Sequence, residues 1–266
     1  MNTPIERVSE LLQEIAESTV LPKFLNLEQD EVEQKSPGEI VTAVDREAEE
    51  LLSPRLLSLV KGSRVVGEEA TANNPALLDE LDQGLIWLVD PIDGTSNYAA
   101  GDPRFAMMIA LLRDGEAIAS WILQPVSSRT WVAERGGGAW VNGQRVQIAK
   151  SGLAESRSAI VRSRFFPESF KRGLHEKDFQ DLDLSQGAGC AGVDYPELIA
   201  GLWRFILYWR TLPWDHVPGA LLAIEAGAKA ARLDGSDFNA HASQVGLLIA
   251  PNVELWAEAR GRFPVV

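Results

Sequence analysis

The segment Leu85–Asn97, LIWLVDPIDGTSN, constrains this chain more than any other. An apolar run that reads as a buried strand leads directly into two carboxylates, Asp90 and Asp93, with Pro91 stiffening the chain between them. Carboxylates at the end of a strand are held by a rigid element and can converge on one point. Two uncompensated anions this close repel, and each is pushed towards protonation. A hard divalent cation relieves that repulsion and prefers oxygen ligands. Gly94 follows, then the hydroxyls of Thr95 and Ser96, and the amides there can open a helical turn that favours phosphate. An Asp-Gly pair alone is ordinarily a turn leaving a strand; the whole run DPIDGTSN favours a site.

Around this segment the pattern alternates between helix and strand. Thr3 and Glu6 have capping-box spacing, Pro4 suits a first helical position, and Ile5, Val8, Leu12 and Ile15 mark one apolar face. Pro22 is expected to end that helix, and Ser53-Pro54 to kink or restart a second one over about Asp45 to Leu59. Strands are expected at Arg64–Val66, Leu85–Val89, Phe105–Leu112, Ala117–Leu123 and Thr130–Ala133, with a hairpin turn at Asn142-Gly143. A seam near Ala149–Glu155 divides the chain into residues 1–150 and 151–266. Beyond it, Ala159–Val161, Phe205–Trp209 and Gly246–Ala250 read as strands. Val217, Ala220, Leu221 and Ile224 form a helical stripe capped by Gly227, and a short helix follows around Val253–Ala259. Helices interleaved with sheets indicate a layered α/β or α+β arrangement.

Other acids are ambiguous when taken singly. Glu68-Glu69 follows a strand and reads as solvated; Asp215 and Asp45 stand where helices start and read as N-caps. Capping does not exclude ligation, because a carboxylate at a helix start is also fixed in space. The formal net charge of −13 over 266 residues makes the chain a poor candidate for tracking a nucleic-acid backbone. It also leaves phosphate binding in need of a positive group, which a divalent metal would supply. No run approaches the roughly 20 apolar residues of a membrane span, and the N-terminus lacks the apolar core of a signal peptide. The single Cys190 excludes an internal disulfide, and the expected compartment is the cytoplasm.

In their order along the chain, Lys35-Ser36-Pro37, Val41-Thr42-Ala43-Val44-Asp45, Gly67-Glu68-Glu69, DPIDGTSNY and WDHVPGALLAIEAGA resemble the inositol monophosphatase family. The likeness runs from about residue 30 to about residue 250. It implies an α/β/α/β/α sandwich of the inositol monophosphatase and fructose-1,6-bisphosphatase type. It also implies phosphomonoester hydrolysis with two or three Mg2+ ions, inhibition by Li+ and a homodimer. By matching motif, Glu68, Asp90, the carbonyl of Ile92, Asp93 and Asp215 would bind metal. Glu68, Asp45 and Thr95 would serve catalysis, with Asp45 orienting Thr95 towards the attacking water. Gly94 and Thr95 would hold a phosphate oxygen, and Ala191, Tyr208 and Asp215 would face the rest of the substrate.

Tyr208 occupies the place of the glutamate that binds inositol hydroxyls in the true inositol enzymes. A phenol can still hydrogen-bond a hydroxyl but cannot act as a charged bidentate acceptor. Inositol 1-phosphate therefore stands beside histidinol phosphate, fructose 1,6-bisphosphate and a nucleotide 3'-phosphate as candidate substrates. By the same reasoning, Tyr208→Glu is expected to shift preference towards inositol phosphate. Arg164 reads as a surface arginine, with contact to a substrate anion as the alternative. His216 reads as structural, and Cys190 as a small buried residue rather than a nucleophile. The rival enzyme reading, a haloacid-dehalogenase-like phosphatase, needs a D-x-D-G-T pattern, and Asp90 and Asp93 are one residue too far apart for it. A regulatory protein-binding role on the same scaffold is the rival from another class.

Overall fold

The central strands owe their unbroken apolar sequence to being covered on both faces. This is visible in the computed structural model, which describes residues 3–28, 31–36, 39–148, 156–240 and 246–264. In β4 (Leu85–Asp93), Trp87 and Val89 join one core cluster while Ile86 and Leu88 join another. The neighbouring β5 (Ala106–Arg113) divides the same way, with Met107, Ile109 and Leu111 on one face and Met108, Ala110 and Leu112 on the other.

These strands belong to a seven-stranded sheet of order β3-β4-β5-β6-β7-β8-β9. Its other members are β3 (Arg64–Gly67), β6 (Glu116–Gln124), β7 (Arg129–Glu134), β8 (Gly138–Val141) and β9 (Gln144–Val146). Only β3 and β4 pair in parallel. The turn between β8 and β9 is Asn142-Gly143, with φ of 48° and 77°, both positive as a tight type I′ hairpin requires.

A second sheet has the order β11-β10-β12-β14-β13, built from β10 (Ser158–Arg162), β11 (Asp183–Ser185), β12 (Ile206–Tyr208), β13 (Lys229–Arg232) and β14 (Leu247–Ala250). Helices α1 (Ile5–Ile15) and α3 (Ala43–Leu59) cover the outer face of the first sheet. Helices α7 (Ala191–Ile199) and α8 (Pro213–Glu225) lie between the sheets and contribute to the core that joins them. On the outer face of the second sheet, α6 (Glu168–Arg172) and α9 (Val253–Arg260) enclose an aromatic cluster in which the Phe170 and Trp209 rings lie 4.4 Å apart. The layers are therefore α/β/α/β/α. Close approach of the middle layer depends on Gly192 of α7, where a Cβ would come within 2.5 Å of the Ala106 Cβ.

Several local expectations are corrected. The Thr3–Glu6 capping box does not form: Pro4 is the N-cap residue and no side chain caps the helix. Pro22 does not end the first helical stretch, which passes through a π-turn (Ala16–Val20) into α2 (Leu21–Lys23). The π-turn shifts the hydrogen-bond register just before Pro22, which has no N–H to donate. Helix α3 starts at Ala43 and continues across Pro54. The sequence reading missed the antiparallel pair β1 (Val32–Ser36) and β2 (Glu39–Thr42), and also α7 and β13. The seam expected near Ala149–Glu155 lies outside the described residues.

Candidate active site

Three elements deliver carboxylates to one place. Glu68 opens α4 (Glu68–Asn73) directly after β3, Asp90 lies near the end of β4, and Asp215 sits in the first turn of α8. An oxygen from each lies within 4.8 Å of the others. Asp90 is fully buried, and its Oδ1 has no hydrogen-bond partner. Burial, followed by the negative charges of Glu68, Asp93 and Asp215, pushes the Asp90 carboxyl far above the usual carboxylate range. Glu68 rises to about 7, chiefly through burial; the Lys35 ammonium beside it pulls the other way. A buried acceptor oxygen without a donor is costly in a protein interior, and a cation bound against Asp90 would remove that cost. The donor set is all oxygen, as a hard divalent ion prefers.

Asp93 joins the two sheets' territories. Its Oδ2 accepts the Gly192 N–H at 2.6 Å and lies 3.1 Å from the Cys190 Sγ, both at the start of α7. Gly94, the next residue, has φ of +84°, and a Cβ there would come within 2.9 Å of the Cys190 Cβ. Conformation and space therefore both require glycine. Asp93, Gly94, Thr95 and Ser96 line a cavity of about 180 Å³ together with Glu68, Asp90 and Asp215.

Thr95 begins the short helix α5 (Thr95–Ala99), and its hydroxyl lies 3.1 Å from Asp45 Oδ1 and 2.9 Å from the Ile92 carbonyl. Asp45, in the first turn of α3, also accepts the Thr42 N–H at 2.8 Å. Burial raises Asp45 to about 6 against the opposing hydrogen bonds from Thr42. The single Thr95 hydroxyl proton donates to one of these two acceptors at a time, and in either case the Ile92 carbonyl, with two lone pairs, keeps at least one for another partner.

On the far side, Ala191 and Tyr208 border an adjoining cavity of about 400 Å³, which Asp93, Gly189, Arg210 and Asp215 also line. The Tyr208 hydroxyl donates to Asp194 Oδ2 at 2.9 Å, so its proton is already engaged. Asp194 accepts the Ala188 N–H at 2.7 Å and lies 3.8 Å from the Arg162 guanidinium. Burial raises its carboxyl to about 6. His216 is buried with Nδ1 3.4 Å from the Tyr195 hydroxyl, and burial holds its pKa down at about 3. Burial therefore favours its neutral form. Burial raises the Cys190 thiol far above its ordinary value, which is the opposite of an activated nucleophile.

Sequence reasoning assigned no role to Lys35, Glu49 or Asp194. Lys35 pairs with Glu68 at 3.1 Å and with Glu69; the sequence marked it only as part of a family segment, in a polar run that names no partner. Glu49 accepts the backbone N–H groups at the start of α4, although in DREAEELL it looks like a solvated helix acid. Asp194 is recognisable only once its distant partner Tyr208 is in place.

Comparison with known proteins identifies the family and the fold. The chain matches the model of the inositol monophosphatase family over residues 1–262. It is 31% identical over 214 residues to the inositol-1-monophosphatase of Rhizobium meliloti, covering 77% of this chain and 76% of that protein. It is 28% identical over 211 residues to the Nus factor SuhB of Vibrio cholerae, covering 76% and 75%. Among solved structures, the SuhB extragenic suppressor protein of Bartonella henselae superposes with a TM-score of 0.80 at 22% identity, covering 97% of this chain and 96% of that one. The chain belongs to the inositol monophosphatase family, a family of metal-dependent phosphoric monoester hydrolases.

Proposed function

We propose that the chain hydrolyses a small phosphomonoester, a polyol or sugar phosphate such as inositol 1-phosphate, in a Mg2+-dependent reaction without a covalent enzyme intermediate. The observation that carries this reading is the buried, unpartnered Asp90 Oδ1 among three converging carboxylates. Glu68, Asp90, Asp93, Asp215 and the Ile92 carbonyl would hold two or three ions, with Li+ as a competing occupant. When bound, such ions neutralise the acidic cluster, lower the pKa of water and stabilise charge on the phosphoryl oxygens.

The chain's own residues supply position and proton handling. Asp45 accepts from the Thr95 hydroxyl and orients it towards the attacking water. Taking the hydroxyl proton in this way leaves the Thr95 oxygen lone pairs free to accept from that water. The Gly94 and Thr95 amides receive a phosphoryl oxygen, which the left-handed turn at Gly94 permits. Ala191, Tyr208 and Asp215 border the space left for the leaving alcohol. A homodimer acting in the cytoplasm completes the reading; among the described residues no helix is long and apolar enough to cross a membrane.

The test is phosphate release from a panel of esters in Mg2+ and in EDTA. The panel holds inositol 1-phosphate, histidinol phosphate, fructose 1,6-bisphosphate, glycerol 2-phosphate and adenosine 3',5'-bisphosphate. Release that requires Mg2+ supports the reading. No release by folded protein that binds Mg2+ contradicts hydrolysis of this class of ester.

A further inference from the structure

We infer that Asn97 is a positioning residue that selects among leaving groups, by holding Gly189 at the divide between the phosphoryl cavity and the cavity beside it. This inference rests on the phosphatase reading and adds to it a source of discrimination between esters. Gly189 lines both spaces: the cavity of about 180 Å³ with Glu68, Asp90, Gly94 and Thr95, and the cavity of about 400 Å³ that Ala191 and Tyr208 border. A shift of Gly189 therefore alters the passage from one to the other, while Glu68, Asp90 and Asp215 sit on other elements.

The segment that carries Gly189 has little in its own backbone to fix it. It runs between β11 and α7, outside any strand ladder or helix. Gly187 and Gly189 flank Ala188 with φ of +73° and +82°, in the left-handed region that glycine enters freely. Ala188 is instead gripped from two sides. Its N–H donates to Asp194 Oδ1 at 2.7 Å, and its carbonyl accepts from Asn97 Nδ2 at 2.8 Å. Asp194 belongs to α7, the next element along the chain, whereas Asn97 reaches across from α5. A Cβ on Gly189 would lie 3.5 Å from Asn97 Oδ1, so the same amide also packs against that residue.

Asn97 is itself firmly placed. Its Nδ2 also donates to the Arg104 carbonyl at 2.7 Å, so both amide hydrogens are spent on backbone carbonyls. The side chain branches from the helix that Thr95 opens, where Gly94 and Thr95 form the proposed phosphoryl cradle. That helix has its own anchor in Tyr98, which is fully buried and whose hydroxyl donates to the Val20 carbonyl at 2.8 Å. Asn97 thus ties a fixed cradle to a glycine-flanked segment, and carries the position of the phosphoryl group to the wall facing the leaving alcohol. The tie needs an NH2 group. An isosteric carboxylate would set oxygen against two carbonyl oxygens.

The test compares wild type with Asn97→Ala and Asn97→Asp by hydrogen exchange and by steady-state kinetics in Mg2+. The Gly187 and Ala188 amides, bonded to Ser185 Oγ and Asp194, are expected to exchange about tenfold faster in both variants, with α5 unchanged. For the panel ester that wild type hydrolyses best, KM is expected to rise about tenfold, while Ki for inorganic phosphate, which has no leaving group, stays within about twofold. Unchanged exchange at Gly187 and Ala188 overturns the inference. So does an equal change in KM and Ki, or a change in neither, in either variant. A variant with altered circular dichroism overturns it as well, since Asn97 would then hold the fold at large rather than one segment. Should wild type hydrolyse no ester of the panel, the phosphatase reading fails separately and exchange decides. Faster exchange confined to this segment supports the hold of Asn97 on Gly189, and unchanged exchange overturns it.

Discussion

Glu49 of α3 closes the start of α4 by accepting the backbone N–H of Glu69 at 2.9 Å, and its second oxygen accepts that of Ala70 at 2.8 Å. Gly67 makes the approach possible, because a Cβ at that position would collide with the Glu49 carboxylate. The buried acid thus fixes the helical turn that begins with the candidate metal ligand Glu68. Glu49→Gln would set an amide N–H group against one of these donors. We expect a loss of about 1–3 kcal/mol in urea unfolding, together with reduced kcat. Unchanged stability would contradict this account of α4.

Asp93 separates folding from chemistry. In Asp93→Asn the amide oxygen can keep the bond from the Gly192 N–H, while the charge that would bind metal is gone. We expect near-wild-type circular dichroism with kcat/KM lowered by about 100-fold or more. Activity close to wild type would remove Asp93 from the proposed ligand set.

The acidic cluster predicts an unusual pH dependence in EDTA. Burial raises Asp45 and Asp194 from an ordinary 3.8 to about 6 and Glu68 from 4.5 to about 7. Between those values the native state holds more protons than the unfolded chain, so these groups stabilise at low pH and lose that contribution as pH rises. His216 works in the opposite direction. Its pKa falls from 6.5 to about 3, so its contribution is present above 6.5 and is lost as pH falls. The acids outnumber it, and the metal-free Tm is expected to be lower at pH 7.5 than at pH 5. Added Mg2+ should raise the pH 7.5 value, and Asp90→Asn should flatten the slope. A metal-free Tm that rises from pH 5 to pH 7.5 would contradict the charge repulsion assigned to the site.

Tyr208 is less open to exchange than the sequence suggests. Its hydroxyl donates to the buried Asp194, so Tyr208→Phe should cost about 0.5–1.5 kcal/mol in thermal or urea unfolding. The Tyr208→Glu exchange, expected from the sequence to favour inositol phosphate, would place a second carboxylate against Asp194. We expect it to lower Tm more than Tyr208→Phe does; the reverse order would show that Asp194 relaxes away.

The parts legible in the sequence are those where one physical demand dominates. Strand β4 announces itself because both faces are buried and its exit carries Asp90 and Asp93. Helix α8 was legible through Val217, Ala220 and Leu221 after Asp215, although the helix is buried nearly all round and Ile224, the last residue of the expected stripe, is exposed. Helix α7 was missed because it is short, and Gly192 and Pro196 interrupt its apolar pattern. The β1–β2 pair was missed because Glu33, Gln34 and Lys35 give polar runs without apolar alternation. Glu49 and Asp194 escaped for a common reason: a buried acid is defined by partners remote in sequence, and composition treats both as surface charge.

The central claim is that Glu68, Asp90 and Asp215 jointly hold a divalent cation. Anomalous diffraction from crystals soaked in Mn2+, a Mg2+ substitute with a usable absorption edge, tests it most directly. The account predicts a peak ligated by carboxylate oxygens of all three residues. Strong Mn2+ peaks elsewhere, with these three carboxylates bare, would contradict it.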